Sequence, residues 1–445
     1  MPSRKTFHLT SLGCPKNSVD TDSMAKLLER DGYHQVGAPQ QASIIIVNTC
    51  GFIGPAREES YNVLRSLAES KHPGQILIAS GCLTQRYGAE VARQVPGVDG
   101  ILGTRRWMDI VELVRSLRKG PRPKTLYQIP ETTTVGEDEH NILRASVAGA
   151  SAYLKIADGC RRPCAFCAIP LIKGTTISRP MDRIVNEARI LRDAGVRELI
   201  LIAQDTTDYG FDLGMKDGLA VLLEKLTTFV PDMDWIRIMY SFPGYITDRL
   251  IDLMAGSKQV LPYLDIPLQH AHPATLTRMR RPADMNWVRR TISKMRAAMP
   301  KLAIRTVFIV GYPGETEDEF QALLDFIEEI RFDRVGTFQF SFEPGTASEA
   351  LGDPVPMEVK EERYQRLMLT QQPISLQINQ SYVGQTSDIL VEGHDKGLSI
   401  GRSYRDAPEI DGMVLVEGVL PVGEIIPVKI TGAMEYDLHA VPIQR

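Results

Sequence analysis

Three of the six cysteines lie close together in the segment GCRRPCAFCAIP, which spaces Cys160, Cys164 and Cys167 as C-x-x-x-C-x-x-C. Three thiols this near in sequence can hold one metal centre from a single loop, which restricts how that part of the chain folds. Zinc sites normally take four protein ligands, and this loop contains neither a fourth cysteine nor a histidine. The spacing therefore favours a four-iron cluster with three cysteine ligands. The alternative is three incidental buried thiols.

A four-iron cluster held by three cysteines leaves one iron open. An open iron can chelate the amino and carboxylate groups of S-adenosylmethionine and pass one electron to its sulfonium, which releases a 5′-deoxyadenosyl radical. No side chain can remove an unactivated hydrogen by itself, so such chemistry has to come from a cofactor. The motif therefore predicts radical chemistry on a C–H bond.

The other three cysteines each follow an apolar run that reads as a strand: Cys14 ends FHLTSLGC, Cys50 ends IIIVNTC and Cys82 ends ILIASGC. They are 36 and 32 residues apart, about one strand–helix unit each. In a parallel sheet such positions gather at the carboxyl edge, where α/β proteins bind ligands. As a set they predict a second cluster, although each one alone would more often be a small core residue.

The pattern of strands and helices predicts an α/β chain with four segments. Residues 5–118 alternate strands (7–12, 44–47, 76–79) with helices (18–30, 55–70), which is typical of a parallel sheet. Residues 119–145 are rich in Pro, Gly, Thr and charge and are predicted to be a linker. Residues 146–377 hold six strand–helix units, which favour an open (β/α) barrel over a flat doubly wound sheet. The core strands are predicted at 153–157, 198–203, 235–240, 263–268, 304–310 and 335–340.

Residues 380–445 form short, Gly-punctuated alternating strands, which predict a small antiparallel β-barrel. The strands are expected at 388–392, 398–403, 413–416 and 425–432. This segment carries ten acidic and five basic residues. Phosphate contacts need clustered Lys or Arg, so direct RNA binding is not expected to dominate. An acidic surface would attract a basic protein, and the alternative is that these carboxylates only solvate the surface.

Composition places the chain among ordinary globular enzymes. It has 445 residues, 43% of them hydrophobic and 24% charged, with a formal net charge of −4. No apolar run is long enough to span a bilayer, so no membrane partner is expected. The start, MPSRKTFHLTSLGC, lacks the apolar segment of a signal peptide. We therefore expect a cytoplasmic protein, in which cysteines serve metal binding or catalysis rather than disulfides.

In their order along the chain, these features resemble the methylthiotransferases of the radical S-adenosylmethionine superfamily. Members carry three cluster cysteines in the N-terminal domain, C-x-x-x-C-x-x-C in the central barrel and a TRAM domain at the end. The resemblance covers essentially the whole chain. The matching segments are SLGCPKNSVD, GCLTQRY, YLKIADGC, AQDTTDYG, YSFPGY and YLDIPLQHA. The family usually has Arg-Gly after the cluster motif, whereas this chain has Lys173-Gly174, which keeps the charge.

Within the family, SLGCPKNSVD resembles the branch that modifies the ribosomal small-subunit protein S-twelve, whereas the tRNA branch tends to read YGCQMN. The resemblance implies two 4Fe-4S clusters and two molecules of S-adenosylmethionine. One methylates a sulfur held at the second cluster, and the other makes the radical that removes the β-hydrogen of an aspartate. The product is the β-methylthio aspartate. An electron donor such as a flavodoxin or ferredoxin and a sulfur source are also implied.

Three other functions remain open. The first is a tRNA methylthiotransferase acting on a modified adenosine, against which the acidic C-terminal segment counts. The second is an iron–sulfur electron carrier or sulfur carrier without radical chemistry, for which a chain with a six-unit barrel is unusually large. The third is a structural zinc protein.

Several further residues are candidates for binding S-adenosylmethionine. Phe166 is expected to wall the adenine, or else only to pack. Gln204 and Asp205 end the second core strand and face the substrate side, unless Asp205 serves a cap or turn. Asp265, Gln269 and His270, in DIPLQH, are expected to contribute one or two cofactor contacts. Gly311, in VFIVGYPGE, resembles the family's close backbone approach to adenine, with a simple turn as the alternative.

Overall fold

The computed structural model describes residues 5–119, 124–136 and 139–443. The chain divides into two compact units. The first comprises Met1–Ser146, Tyr153–Pro180 and Ser341–Glu349, and the second comprises Val147–Ala152, Met181–Phe340 and Ala350–Arg445. Within the described ranges, no helix combines the length and the apolar character that crossing a bilayer requires.

The first unit is built on a six-stranded, wholly parallel sheet with the order β2-β1-β3-β4-β5-β6. Its strands are β1 (Thr6–Ser11), β2 (His34–Gln35), β3 (Ile44–Thr49), β4 (Ile76–Gly81), β5 (Gly100–Gly103) and β6 (Leu126–Gln128). The helices between them are α1 (Pro15–Arg30), α2 (Gly54–Ser70), α3 (Cys82–Gln94) and α4 (Ile110–Arg118). Alternating strands and helices thus form the parallel sheet that the sequence predicts for this segment.

Both faces of this sheet are buried, which explains why β3 and β4 are buried at every position and begin with continuous apolar runs. On one face, Ile44 and Ile46 pack with side chains of α1 and α4 such as Leu28 and Leu113. On the other face, neighbouring strand residues pack with α2 and α3 through side chains that include Leu64, Leu83 and Val91. Each such side chain, fully buried, contributes roughly 1.5–3 kcal/mol. The carboxyl edge of the sheet is therefore a rigid support.

The segment 119–145, with the composition of a linker, contributes to this unit. Its residues Leu126–Gln128 form β6, which pairs in parallel with β5. Farther along, Val135 and Ile142 are buried in the core beneath the sheet. Strand β6 has only three residues and is mostly exposed, so its own sequence pattern is too weak to predict a strand. Its hydrogen bonding to β5 is what makes this segment a strand. The domain limits drawn from the sequence stay a prediction.

A seven-stranded sheet with the order β15-β14-β13-β12-β11-β8-β7 forms the central α/β part. It does not close on itself, as expected for an open (β/α) barrel. From β11 to β15 each neighbouring pair is parallel. The strands are β7 (Ala145–Ala148), β8 (Ser151–Lys155), β11 (Glu198–Ile202), β12 (Trp235–Ile238), β13 (Val260–Asp265), β14 (Ala303–Val310) and β15 (Arg334–Gln339), with the short pair β9 (Ala157–Asp158) and β10 (Ile177–Ser178) standing apart.

Helices follow the central strands in turn, as the βα pattern predicts. They are α5 (Ile169–Lys173), α6 (Met181–Asp193), α7 (Gly218–Phe229), α8 (Asp248–Gly256), α9 (Pro273–Arg278), α10 (Met285–Ala298), α11 (Glu317–Ile330) and α12 (Met357–Gln380). Local signals define their ends. Thr316 and Glu319 form a capping box at the start of α11, and Gly195, with φ near +93°, lies just after α6.

The C-terminal segment is a closed five-stranded barrel with the order β16-β17-β18-β20-β19. Its strands are β16 (Thr386–Asp395), β17 (Leu398–Ser403), β18 (Val414–Glu417), β19 (Ile425–Ala433) and β20 (Leu438–Pro442). The sequence predicts four of them and misses β20, which pairs in parallel with β18 and antiparallel with β19. The small β-barrel predicted for this segment is confirmed, and its strands pair antiparallel except for β18 with β20, which pair in parallel.

Buried ion pairs join this barrel to the central sheet within the second unit. Glu198, at the start of β11, accepts hydrogen bonds from Arg237 on β12 at 2.7 Å and from Arg402 on β17 at 2.6 Å. All three side chains are at most 3% exposed. Arg334 pairs with Asp406 at 2.6 Å in the same way. Removing one member of such a cluster leaves an uncompensated buried charge.

Candidate functional site

The three strand-end cysteines lie at the carboxyl edge of the first unit's sheet, as predicted. Cys14 precedes α1 directly, Cys50 follows β3 and Cys82 is the first residue of α3. Their strands β1, β3 and β4 are neighbours in the sheet. The local pattern of an apolar strand followed by a helix therefore brings three thiols to one edge.

Two glycines allow the cysteine loops to approach each other. A Cβ added at Gly13, whose φ is +92°, would lie 2.8 Å from Cβ and 3.1 Å from Sγ of Cys50. A Cβ at Gly51 would lie 2.6 Å from the backbone of Leu83 and 2.8 Å from the carbonyl carbon of Cys82. The loop of Cys14 thus touches Cys50, and the loop of Cys50 touches Cys82.

Charged side chains hold the Cys50 loop. Arg86 donates to the carbonyl oxygen of Gly51 at 3.3 Å and to the Glu343 carboxylate at 2.7 Å. Glu343, which is 2% exposed, also pairs with Arg57 of α2. This clamp links Ser341–Glu349, a distant piece of the first unit's chain, to the edge that carries the cysteines. Arg57, Arg86 and Glu343 carry no local signal in the sequence, because the ion pairs between them join residues more than 250 positions apart.

The three thiols differ in environment: Cys14 is exposed, Cys50 is half-buried and Cys82 is buried. Burial raises the pKa of the Cys82 thiol to about 12, although the Lys173 ammonium opposes that shift. Among the described residues, no three His, Cys, Asp or Glu side chains are arranged around a single metal ion. A four-iron cluster takes each thiolate on a different iron, so its ligands surround a volume rather than one point. Three thiols, with no further ligand among the side chains that the structure describes, fit that group.

The second cysteine set lies in the loop between β9 and α5. Cys160 N–H donates to the carbonyl oxygen of Gly174 at 3.0 Å, and Cys167 N–H donates to that of Cys164 at 3.1 Å. A Cβ at Gly174, whose φ is +80°, would lie 1.9 Å from the carbonyl oxygen of Thr133. The loop is therefore closed at both ends by backbone contacts, and all three of its cysteines are half-buried.

The two cysteine sets are close to each other inside the first unit. The Cys82 side chain packs against Ala168 and Ile172, which lie directly after Cys167 and within α5. Phe166 is half-buried in the same loop, and its role as an adenine wall stays a prediction. The structure thus brings together the six cysteines that the sequence divides into two sets of three.

In the second unit, the polar candidates sit at the carboxyl ends of the central strands. Asp265, fully buried at the end of β13, accepts from Arg305 at 2.9 Å and from the Tyr240 N–H at 3.2 Å. Asp205 accepts a hydrogen bond from the Thr207 hydroxyl at 2.5 Å. This contact stabilises the turn after β11, which is the role that the sequence offered as the alternative to cofactor binding. The Tyr240 backbone has a φ of +62°, a conformation that concentrates at functional sites when the residue is not glycine.

Three buried polar atoms at this edge have no hydrogen-bond partner among the described residues. They are Oε1 of Gln204, Oε1 of Gln269 and Oγ of Ser241. A buried polar group without a partner costs about 1–3 kcal/mol, so these atoms are suited to a bound ligand. The sequence predicts Gln204 and Gln269 but misses Ser241, which stands in the quoted segment YSFPGY just after β12.

Gly311 and His270 belong to one hydrogen-bonded turn. The Gly311 N–H donates to Glu315 Oε2 at 2.6 Å, and Glu315 also pairs with Arg363 at 2.6 Å and with His270 at 2.9 Å. A Cβ at Gly311 would lie 2.4 Å from Cγ of Lys360. These contacts support the turn that was the alternative for Gly311, and a cofactor contact by its backbone stays a prediction.

Three family models match the chain: an uncharacterized protein family, UPF0004, at residues 6–103, the Radical SAM superfamily at 154–327 and the TRAM domain at 383–443. The Radical SAM match contains Cys160, Cys164 and Cys167, and the UPF0004 match contains Cys14, Cys50 and Cys82. The three matches follow the order that the resemblance in sequence implies.

Curated relatives are similar over nearly the full length. The ribosomal protein uS12 methylthiotransferase RimO of Chloroflexus aurantiacus is 50% identical, covering 97% of this chain and 98% of the relative. The RimO protein of a Roseiflexus species is 47% identical, covering 97% of this chain and 96% of the relative. The RimO protein of Microcystis aeruginosa is 44% identical, covering 99% of this chain and 99% of the relative.

Among solved structures, the radical S-adenosylmethionine methyltransferase TsrM of Kitasatospora setae, with cobalamin and a [4Fe-4S] cluster bound, matches with a TM-score of 0.59. The match is 12% identical and covers 90% of this chain and 77% of that one. The cobalamin-dependent radical enzyme OxsB matches with a TM-score of 0.53 at 12% identity, covering 83% and 56%. At such identities the likeness concerns the fold.

Proposed function

The chain belongs to the RimO family of ribosomal protein uS12 methylthiotransferases, and from this premise we propose that it adds a methylthio group to the β-carbon of an aspartate in uS12, the S-twelve protein. The observation that carries the proposal is the division of six cysteines into two sets of three inside one compact unit. One set lies in a single loop and the other at three neighbouring strand ends. An iron–sulfur electron carrier without radical chemistry would need neither two such cysteine sets nor an open (β/α) barrel.

Under this proposal each cysteine set holds one 4Fe-4S cluster. Cys160, Cys164 and Cys167 hold the first, and Cys14, Cys50 and Cys82 hold the second. S-adenosylmethionine, once bound and reduced, supplies the radical that removes the β-hydrogen of the aspartate. Phe166, Gln204, Asp205, Asp265, Gln269 and Gly311 are proposed to contact this cofactor. The unpaired side-chain oxygens of Gln204 and Gln269 support two of these assignments.

The charge on the C-terminal barrel supports a basic protein as substrate. Burial removes Arg402, Arg405 and Asp406 from the surface, and Asp411 is almost fully buried as well. Among the described residues of the barrel, the exposed carboxylates are Asp388, Glu392, Asp395, Glu409, Glu417 and Glu424. The exposed bases are Lys396 and Lys429. The acidic excess seen in the sequence therefore persists on the surface, where it attracts a basic partner and repels nucleic acid phosphates.

Reversing part of this surface charge is expected to weaken substrate capture. In the variant Asp388→Lys/Asp395→Lys/Glu417→Lys, KM for uS12 should rise on the order of 10-fold at low salt with kcat unchanged, because steering raises association rates. Steady-state kinetics at two salt concentrations measure this. A matched control reverses three exposed acids on helices of the same unit, Asp252, Glu328 and Glu358. Equal KM values for both variants would remove the docking role.

Substrate identity is tested by one competition reaction. The enzyme is reconstituted without oxygen and given reductant, sulfide, S-adenosylmethionine, uS12 and bulk tRNA. Mass spectrometry should find a gain of one methylthio group on an aspartate of uS12 and none on tRNA. A methylthio group on an adenosine of tRNA would contradict the proposal and favour the tRNA branch.

The reaction also needs partners that this chain does not carry. We propose a one-electron donor of the flavodoxin or ferredoxin type and a separate source of sulfur. Because the substrate is a ribosomal protein, the cytoplasm is the proposed location.

A further inference from the structure

Five charged side chains form a buried network beside the two cysteine sets. Asp20 and Asp158 accept hydrogen bonds from three cations: Lys155, Lys173 and Arg144. Lys173 Nζ lies 2.9 Å from Asp20 Oδ2 and 3.0 Å from Asp158 Oδ1. Arg144 Nη2 lies 2.5 Å from Asp20 and 3.3 Å from Asp158. Lys155 contacts both carboxylates.

The network is excluded from water, and its charges do not balance. The side chains of Lys155, Lys173, Arg144 and Asp20 are at most 2% exposed, and that of Asp158 is 10% exposed. Within these five side chains, three cations face two carboxylates, so the five together carry a net positive charge. A net charge in a protein interior is costly unless neighbouring groups balance it, so this site favours a negatively charged group beside it.

The strand-end cysteines supply that neighbour. Asp20 lies on α1, the helix that begins directly after Cys14. Lys173 ends α5, against which the Cys82 side chain packs through Ile172. Lys173 is therefore the residue next to the one that the Cys82 side chain contacts. Cysteines bind iron as thiolates, so a cluster held by three of them carries negative charge next to the excess cation.

We propose that Lys173, with the excess positive charge of this network, is the counter-charge of the cluster held by Cys14, Cys50 and Cys82 and sets its reduction potential. Net charge around an iron–sulfur cluster is one of the factors that determine its potential. Reduction adds one electron, so a nearby cation favours the reduced form. This inference rests on the proposed function, because it requires that these cysteines hold a cluster.

The test uses full-length protein in which Cys160, Cys164 and Cys167 are alanine, so that one cluster remains. Its potential is measured by titration with dithionite, followed by electron paramagnetic resonance. Lys173→Met removes one positive charge and should lower the reduction potential by at least about 59 mV. This shift corresponds to a tenfold lower ratio of reduced to oxidised cluster at a given applied potential. Asp20→Asn adds one net positive charge and should raise the potential by a similar amount. Lys173→Arg, which keeps the charge, should leave it nearly unchanged.

Opposite shifts in Lys173→Met and Asp20→Asn support the inference, since a purely structural role would disturb the site in the same sense in both. Unchanged potentials, or shifts in one direction, overturn it. If Lys173→Met does not fold, Lys155→Met is tested instead, because Lys155 pairs with the same two carboxylates and its replacement also removes one positive charge. Iron and sulfide analysis of the parent protein separates the two claims: without a cluster the proposed function itself fails, whereas a cluster with unmoved potentials contradicts only the counter-charge.

Discussion

Replacing Cys160, Cys164 and Cys167 together by alanine is expected to reduce 5′-deoxyadenosine formation to background while about half of the iron and sulfide remains. The loop of these cysteines is the only proposed ligand set for the cluster that reduces S-adenosylmethionine. The strand-end cysteines lie at the edge of the first unit's six-stranded sheet, outside this loop, and keep their supports in this variant. Iron and sulfide analysis, with chromatography of the nucleoside, measures both quantities.

In the complementary variant, Cys14, Cys50 and Cys82 are replaced by alanine. We expect this variant to keep the cleavage of S-adenosylmethionine and to lose the transfer of the methylthio group. It should retain about half of the iron and still form 5′-deoxyadenosine, but transfer no methylthio group to uS12. Ser11→Ala, an exposed position at the end of β1, serves as the control and should keep both clusters. Loss of all iron from either triple variant would mean that the two sets do not hold separate clusters.

Replacing Glu198 by alanine is expected to lower the free energy of unfolding by roughly 3–5 kcal/mol. Two buried guanidinium groups, those of Arg237 and Arg402, would lose their shared carboxylate. Urea denaturation measures the loss. Glu224→Ala is a matched control, because Glu224 also pairs with an arginine, Arg249, but both are about 45% exposed, and exposed pairs contribute little. Equal effects of the two substitutions would contradict the importance of the buried pair.

The same carboxylate predicts a pH dependence. Burial by itself would raise the pKa of Glu198, but Arg237 and Arg402 outweigh it and lower the pKa from 4.5 to about 2. A lowered pKa in the folded state means that the ionised form stabilises the fold. This stabilisation, about 3 kcal/mol, is complete above pH 5 and is lost as the pH falls from about 4.5 to about 2. Glu198→Gln should remove that part of the pH slope, and an unchanged slope would exclude Glu198 as its source.

Much of the fold was predictable because it follows from local patterns. The apolar strands that end in Cys14, Cys50 and Cys82, the six central strands and the helix boundaries all depend on periodicity and on capping residues a few positions apart. The positions of the strand-end cysteines in the fold were predictable for the same reason. A strand end in a parallel sheet has a defined place, so its next residue lies at the carboxyl edge whatever the rest of the chain does.

The residues that the sequence missed depend on distant partners. Strand β20 has only five residues, and its parallel pairing with the earlier strand β18 does not follow from its own pattern. Ser241 became a candidate only when its hydroxyl proved to be buried without a partner. The roles of Phe166, Gln204, Asp205, Asp265, Gln269 and Gly311 toward the cofactor stay predictions.

The sequence by itself determined the two cysteine sets, the order of the α/β and β segments, and the acidic excess of the C-terminal barrel, because spacing, periodicity and composition are local properties. Only the tertiary structure decided which charges are buried and how they are paired. Asp20, Lys155 and Lys173 are up to 153 positions apart, and the segments that contain them give no sign in the sequence that their charges are buried together. Burial converts them into a strongly interacting cluster, because water no longer screens their charges.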